Sequence, residues 1–459
     1  MTMDKVLAVA SNTIKQVVRM RIAVVFVVLL LIILPLLAAA STGDGTLKGR
    51  LQTFVSYGLS LIGLLLSLFT IIAVTYTATS DVVQCQVYTV LTKPIRRHQF
   101  MLGKFLGVLV IDLVVLAIMS GLVFGIAVYA PRLIGVDQDQ MEQLNNEFFT
   151  ARKGLRPREP DVTTEVEQQY RKLLEGQELE QVFKGLPKEQ VIARLTQQKR
   201  LEKRAAAVGQ DLMWEFHDVK LEDPNGSLFI RFKYNVTSNP VDLQIASQWL
   251  VGDLRQLKEG SQVGTPIYRI DRKDPVRTFR EFTVPGDAVA KDGYLAVAFL
   301  NTLENDTVVI FPLDEGLEVL YKAGGFTGNF IRGALLILIR LIFLAAVGVF
   351  AGSFLSLPVA ILLCLLVLLT GSTSGFILES FSFLGKNLSL IYEYTLKVLV
   401  EALPRFDQMN PNRFLVPARL IPWSLLIWQG GGPILAKAAI LLAAGLWIFR
   451  SREIARTTV

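Results

Sequence analysis

Long apolar runs fill both ends of the chain, and a long polar stretch separates the two sets. Six runs approach the roughly 20 residues that a helix needs to cross about 30 Å of hydrocarbon. They cover residues 22–40, 54–78, 105–129, 331–350, 355–375 and 433–449. A helix satisfies its own backbone hydrogen bonds in lipid, so helices are the expected form. Before the first run, Val6, Leu7, Ala10, Ile14, Val17 and Val18 recur at helical spacing opposite Lys5, Lys15 and Arg19. That pattern predicts an amphipathic helix over residues 1–21, suited to a membrane surface.

The polar stretch divides in two. Residues 131–210 are rich in Glu, Gln, Lys and Arg, with Val166, Tyr170, Leu173 and Leu174 forming a sparse helical stripe. Thr164 with Glu167 reads as a capping box and Pro187 as a helix start, so this part is expected to be a helical stalk. In residues 211–329 the period changes to two. Ile230, Phe232, Tyr234 and Val236 alternate with polar neighbours, and Tyr294, Ala296 and Ala298 alternate in a second strand. Turn signals at Asn225-Gly226 and Asp292-Gly293 complete the pattern of a small antiparallel β-sandwich. The fold class is thus an α-helical polytopic membrane protein with six transmembrane helices. An insert of stalk plus β-sandwich lies between the third and fourth, and residues 330–459 carry the last three helices. Within these, residues 376–432 carry prolines, Trp423 and Trp428 and read as an outer interfacial or re-entrant segment.

Charge orients this arrangement. Lys5, Lys15, Arg19 and Arg21 precede the first span, Arg450, Arg452 and Arg456 follow the last, and Lys93, Arg96 and Arg97 lie in the loop after the second. Positive charge at span ends marks the cytoplasmic side, so both termini and the loop at 79–104 are expected inside and the insert outside. Lys48 and Arg50 fall on the outer side, against the rule. The net charge of +7 therefore reads as orientation and contact with membrane lipids rather than nucleic-acid binding.

Catalytic chemistry has no visible basis. GxxxxGK[ST], GxSxG, HExxH and CxxC are all missing, so no P-loop, nucleophile elbow or zinc motif is present. Two cysteines and two histidines, far apart, provide neither a disulfide framework nor a metal site. Charges inside spans carry more information, because lipid penalises them by roughly 3 kcal/mol or more. Asp112 and Arg340 fall at comparable depth in the third and fourth spans and are expected to pair, as a structural contact or in a water-lined pocket, or else as a charge relay or gate. Trp214 and Trp249 in the sandwich are either core residues or a stacking platform for a sugar ring.

Three stretches carry a family resemblance. VLAVASNTIKQVVRMRI looks like an elbow helix leading into the first span, and SDVVQCQVYTVLTKPIRRHQFMLGKFLG, from Ser80 to Gly107, looks like a coupling region. The last half has a matching layout of two close spans, an outer segment and a final span. The chain resembles permease subunits of ABC transporters of the ABC-2 exporter type, in a bacterial branch with an enlarged extracytoplasmic insert. The resemblance implies a bacterial cytoplasmic-membrane protein that pairs with a second permease copy or paralogue. It also implies a separate ATP-binding subunit that holds ATP and Mg, docked on Asp81, Tyr88, Lys93, Arg96, Arg97 and Lys104. Asp81 stands where many relatives have a glutamate. The insert would capture a substrate or bind an envelope partner. Two alternatives from other classes are a transmitter that moves an extracytoplasmic domain without transport, and a membrane-anchored receptor or adhesin.

Overall fold

The computed structural model describes residues 2–43, 45–83, 95–176, 183, 188–219, 221, 226–256, 264–313, 315–381 and 397–451. Two compact units emerge: a helical unit of residues Met1–Ala151 and Gly324–Val459, and an insert of Arg152–Ala323.

The helical unit contains α1 (Thr2–Val18), α2 (Arg21–Ala40), α3 (Leu47–Val83), α4 (Arg97–Ile134) and α5 (Gln138–Glu147) before the insert. After it come α8 (Phe326–Gly352), α9 (Leu357–Phe381), two short helices α10 (Lys397–Ala402) and α11 (Asn412–Leu415), and α12 (Gly431–Ser451). Six of these helices, counting α12 with the π-helical turn before it, are long and apolar enough to cross a membrane. They overrun the apolar runs, because α3 and α4 continue through Lys48, Arg50, Lys104 and Arg132 before ending. Pro131 lies near the end of α4, and Gly135 closes the helix in the left-handed conformation that favours glycine.

α3 is the axis of this unit. Leu34 of α2 approaches Gly58, while Val123 and Asp112 of α4 approach Gly58 and Thr70, so α2 and α4 both run antiparallel to α3. Arg340, Gly348 and Gly352 of α8 lie against Gly63, Val74 and Ala78 in turn, so α8 runs parallel to α3. A Cβ on Gly348 would stand 2.7 Å from the Val74 side chain, which shows how closely these backbones approach. Gly445 of α12 rests on the Phe350 backbone in the same way.

The segment from Pro404 to Pro422 does not cross the unit. Its Phe406 sits beside Gly371 and Phe343, while Asn412, Val416 and Ile421 reach back to the start of α3 and α8. Irregular backbone at this depth has partners: the Asn329 side chain donates to the Arg419 carbonyl and accepts from the Ile421 N–H. Trp423 and Trp428 remain exposed, as suits the headgroup level.

The insert adds β1 (Thr150–Leu155), α6 (Thr163–Glu175), α7 (Lys188–Glu202) and ten further strands. These are β2 (Ala205–Ala206), β3 (Asp211–Phe216), β4 (Ser227–Phe232), β5 (Asn235–Val236), β6 (Gln244–Gly252), β7 (Tyr268–Pro275), β8 (Arg280–Pro285), β9 (Leu295–Asn301), β10 (Val309–Ile310) and β11 (Leu317–Gly325). Two four-stranded sheets, β1-β11-β4-β8 and β3-β9-β6-β7, form the sandwich, with β2-β10-β5 as a short third sheet.

Three sequence expectations change here. β1 lies inside the stretch read as purely helical, because Thr150, Ala151 and Arg152 are buried as an edge of the first sheet. Asp161, not Thr164, caps α6: its Oδ1 accepts from the Thr163 N–H at 3.0 Å and from the hydroxyl at 2.7 Å. In β9 the face toward the main core is Leu295, Val297 and Phe299, while Tyr294 and Ala296 pack with Leu254 and Ala290 in a smaller cluster. Both faces of that strand are apolar, so alternation alone does not reveal which one is inside.

Ile230, Phe232, Tyr234 and Val236 do face the core, as the period of two predicts. Trp249 stands at its centre, fully buried, with the rings of Phe232, Phe299 and Phe282 4.7, 5.0 and 5.4 Å away. Trp249→Ala should destabilise the insert by about 3–5 kcal/mol, read as a lower thermal-unfolding midpoint of the purified protein.

Candidate functional site

The candidate site has two parts in the helical unit. One is the start of α4 with α1 laid along it; the other is the charged layer inside α3, α4 and α8.

α4 begins where Arg96 ends the preceding stretch. The Gln99 side chain accepts from the Arg96 N–H at 3.0 Å and so closes the first turn. α1 runs parallel to this start. Val6, Val9, Ala10, Thr13 and Val17 are buried, while Met3, Leu7 and Val18 remain exposed, so α1 has a packed face and an apolar edge left open. Close approach depends on Gly103 and Gly107. A Cβ on Gly103 would stand 2.9 Å from the Val6 carbonyl oxygen, and one on Gly107 would stand 2.8 Å from that of Ala10. Both obstacles are backbone, so neither can rotate away.

The predicted docking residues separate on this scaffold. Tyr88 and Lys93 lie outside the described residues, and Asp81 falls in the last turn of α3 by its backbone. Arg96 and Arg97 are partly exposed, and the Arg97 guanidinium donates to the Arg450 carbonyl at 3.3 Å, which ties α4 to the end of α12. Lys104 is a correction. Its side chain is buried, lies 5.0 Å from the Phe100 ring centre and reaches Gln16 Oε1 at 3.4 Å, so it faces α1 rather than an open surface. Two turns of helix separate it from Arg96 and Arg97, and at that level α1 covers α4, a difference that is invisible while residues 79–104 are read as one loop.

Asp112 and Arg340 do not meet. Asp112 is fully buried in α4, where its Oδ2 lies 2.9 Å from the Thr70 hydroxyl and its Oδ1 has no partner among the described residues. That hydroxyl also lies 2.7 Å from the Leu66 carbonyl, so one hydrogen faces two acceptors. Arg340 stands two helical turns away along α3. Its guanidinium lies beside Gly63, with its carbon 5.4 Å from the Phe406 ring centre, and its Nε has no partner among the described residues. Seven residues at 1.5 Å rise separate the two positions by about 10 Å. Depth counted within each apolar run separately cannot give their relative height; only the contacts of α4 and α8 with Thr70 and Gly63 of α3 do.

Gly63 belongs to a seam that the charges did not reveal. Ser56, Ser60, Gly63, Ser67 and Thr70 recur every three or four residues along one side of α3. Asn412 closes its upper end, donating to the Ser56 carbonyl at 2.9 Å and the Ser60 hydroxyl at 2.7 Å. The spacing was a readable signal within an otherwise apolar helix; Asn412, distant in sequence, had none.

Trp214 and Trp249 are core residues and present no stacking platform. Trp214 packs edge-on to Phe311 and Trp249 donates to the Ser247 hydroxyl at 3.2 Å. The densest polar cluster of the insert is structural as well. Hydrogen bonds from the Arg255 guanidinium hold the carboxyls of Asp253 and Asp292 below the usual carboxylate range, and the cation lies 3.9 Å from the Tyr294 ring centre. No group of three or more metal-ligating side chains occurs among the described residues.

Comparison with known protein families, characterised proteins and solved structures returns no match.

Two outcomes test this geometry. Gly103→Val should push α1 off α4 and speed tryptic cleavage at Lys15 and Arg19 severalfold, followed by loss of an N-terminal tag. Asp112→Asn should keep or raise the melting temperature, since an amide can donate to Thr70 while Thr70 donates to Leu66. Loss of partner-dependent activity at unchanged stability would give Asp112 a role beyond packing.

Proposed function

We propose that this chain is the membrane-spanning subunit of an exporter driven by a separate ATP-binding subunit, working as a pair with a second copy or a paralogue. The supporting observation is the clamp of α1 on α4. The stretch that resembles a coupling region ends at Arg96, and from there α4 is locked to α1 through Gly103 and Gly107 and tied to α12 through Arg97 and Arg450. A push on the basic turn would therefore move three helices together instead of bending one. In this reading both termini and the turn are cytoplasmic, the insert is outside, and ATP and Mg belong to the partner. The cell membrane is that of a bacterium.

Transport is favoured over transmission without transport by the interior of the helical unit. A sealed transmitter has no need of an arginine inside a span with no carboxylate partner among the described residues. The insert would then receive the substrate or hold an envelope partner.

A mild-detergent purification of the tagged protein, assayed for ATP hydrolysis, tests the proposal. Wild type should bring down an ATPase, and a variant with Lys93, Arg96 and Arg97 changed to Glu should lose most of that activity at unchanged yield. A wild-type eluate without ATPase under several gentle conditions would overturn the reading.

A further inference from the structure

Arg340 poses the question. It lies at the middle of α8, inside a membrane span, half-buried, with no hydrogen-bonding acceptor among the described residues. A charge at that depth is tolerated where it pairs, or where it borders water. Its surroundings show which applies. Opposite it α3 carries Gly63, where a Cβ would stand 3.6 Å from the guanidinium, and one turn above stands Ser60, whose side chain is exposed.

Above Ser60 the polar lining continues. The Asn412 side chain bridges Ser56 and Ser60, and its Oδ1 is buried without a partner among the described residues. A cleft of about 320 Å³ then opens, lined by Gly43, Gly49, Gln52, Thr53, Ser56, Tyr57 and Val416. It lies at the end of the helical unit where the chain leaves for the insert. Gln52, Ser56, Ser60 and Asn412 thus form a polar wall leading from this cleft to a cation. Ser60 is the exposed member of this wall, and Asn412 Oδ1 and Arg340 Nε, buried behind it without partners among the described residues, are groups that water admitted along it would satisfy. A lipid-facing side looks different: Val28, Leu31 and Ile32 of α2 are exposed and wholly apolar.

We propose that this wall lines a water-filled path open to the insert end, and that Arg340 makes the path select for molecules bearing an anionic group, a phosphate or carboxylate. The assignment of that group to an exported substrate rests on the export reading above. Phe406 backs the guanidinium on its other side, so the free side points the charge toward the path.

Thiol chemistry in the intact protein tests the path without knowing its substrate. In a background with Cys85→Ser and Cys364→Ala, Ser60→Cys and Ser56→Cys are treated with two methanethiosulfonates, one bearing a sulfonate and one a trimethylammonium. Rates are corrected for reaction with a free thiol in solution. The sulfonate should react at least roughly tenfold faster at position 60, as expected for one charge a few ångströms away in a partly screened site. Arg340→Gln should abolish the preference and Arg340→Lys should keep it, so a folding defect in one variant leaves the other informative. Leu31→Cys should react with neither reagent.

Four results would overturn the proposal: a Ser60→Cys that reacts with neither reagent, one that reacts equally with both, a preference that survives Arg340→Gln, or a Ser60→Cys that forms a disulfide with its own copy while staying closed to both. The ATPase purification separates the two readings. A copurifying ATPase with no anion preference removes only the anionic path, and an anion preference without an ATPase supports the path while removing its link to ATP-driven export.

Discussion

Close approach of helix backbones along α3 is the constraint on which the helical unit depends. Lipid tails are as apolar as leucine, so burying one more leucine between spans gains little; tight packing and polar contacts must hold the helices. Gly348 and Gly352 let α8 settle on Val74 and Ala78, and Gly58 lets α4 and α2 meet the same helix. α3 and α8 are the most buried spans and α2 the least, which places the shared structure in the first two and leaves α2 facing lipid.

The same small residues that allow contact also leave room for charge. Gly63 gives Arg340 its place, and Thr70 gives Asp112 its one partner. Both charges border α3, yet they stand two turns apart and neither neutralises the other. Each then has its own role: Asp112 links α3 to α4 in a dry layer, while Arg340 stands under a polar wall open at one end. A direct ion pair would have sealed that wall; its absence among the described residues is what gives the interior a direction.

The insert obeys a different balance. Its core gathers Trp249, Phe232, Phe299 and Phe311 between two sheets, where water supplies the driving force that lipid does not. Large aromatics therefore take the place that glycine and alanine hold in the helical unit. α6 and α7 carry a minor core of Val162, Val166, Val191 and Leu195, strengthened by the Lys203–Glu165 ion pair at 2.8 Å. Such an exposed pair contributes little, so the four apolar residues hold this hairpin.

Six spans, an amphipathic leading helix and a strand-rich insert were legible from period and length alone, because lipid and water each impose a periodicity on a single segment. Ile230, Phe232 and Tyr234 show it in a strand, and Val6, Ala10 and Val17 in a helix. Pairings between segments were not legible. Asp112 and Arg340 looked matched in depth until their contacts with Thr70 and Gly63 fixed their levels on α3, and Lys104 looked like its exposed neighbours until α1 was found to cover that level of α4. Gly103 read as part of the coupling stretch and Gly107 as an early residue of the third span; only the arrival of α1 makes them necessary. Composition and periodicity thus determined which segments span, lie on a surface or form sheets, since each property belongs to one stretch of chain. The partner of every charge and small residue was decided by the tertiary structure, because contact depends on register and rotation between helices far apart in sequence.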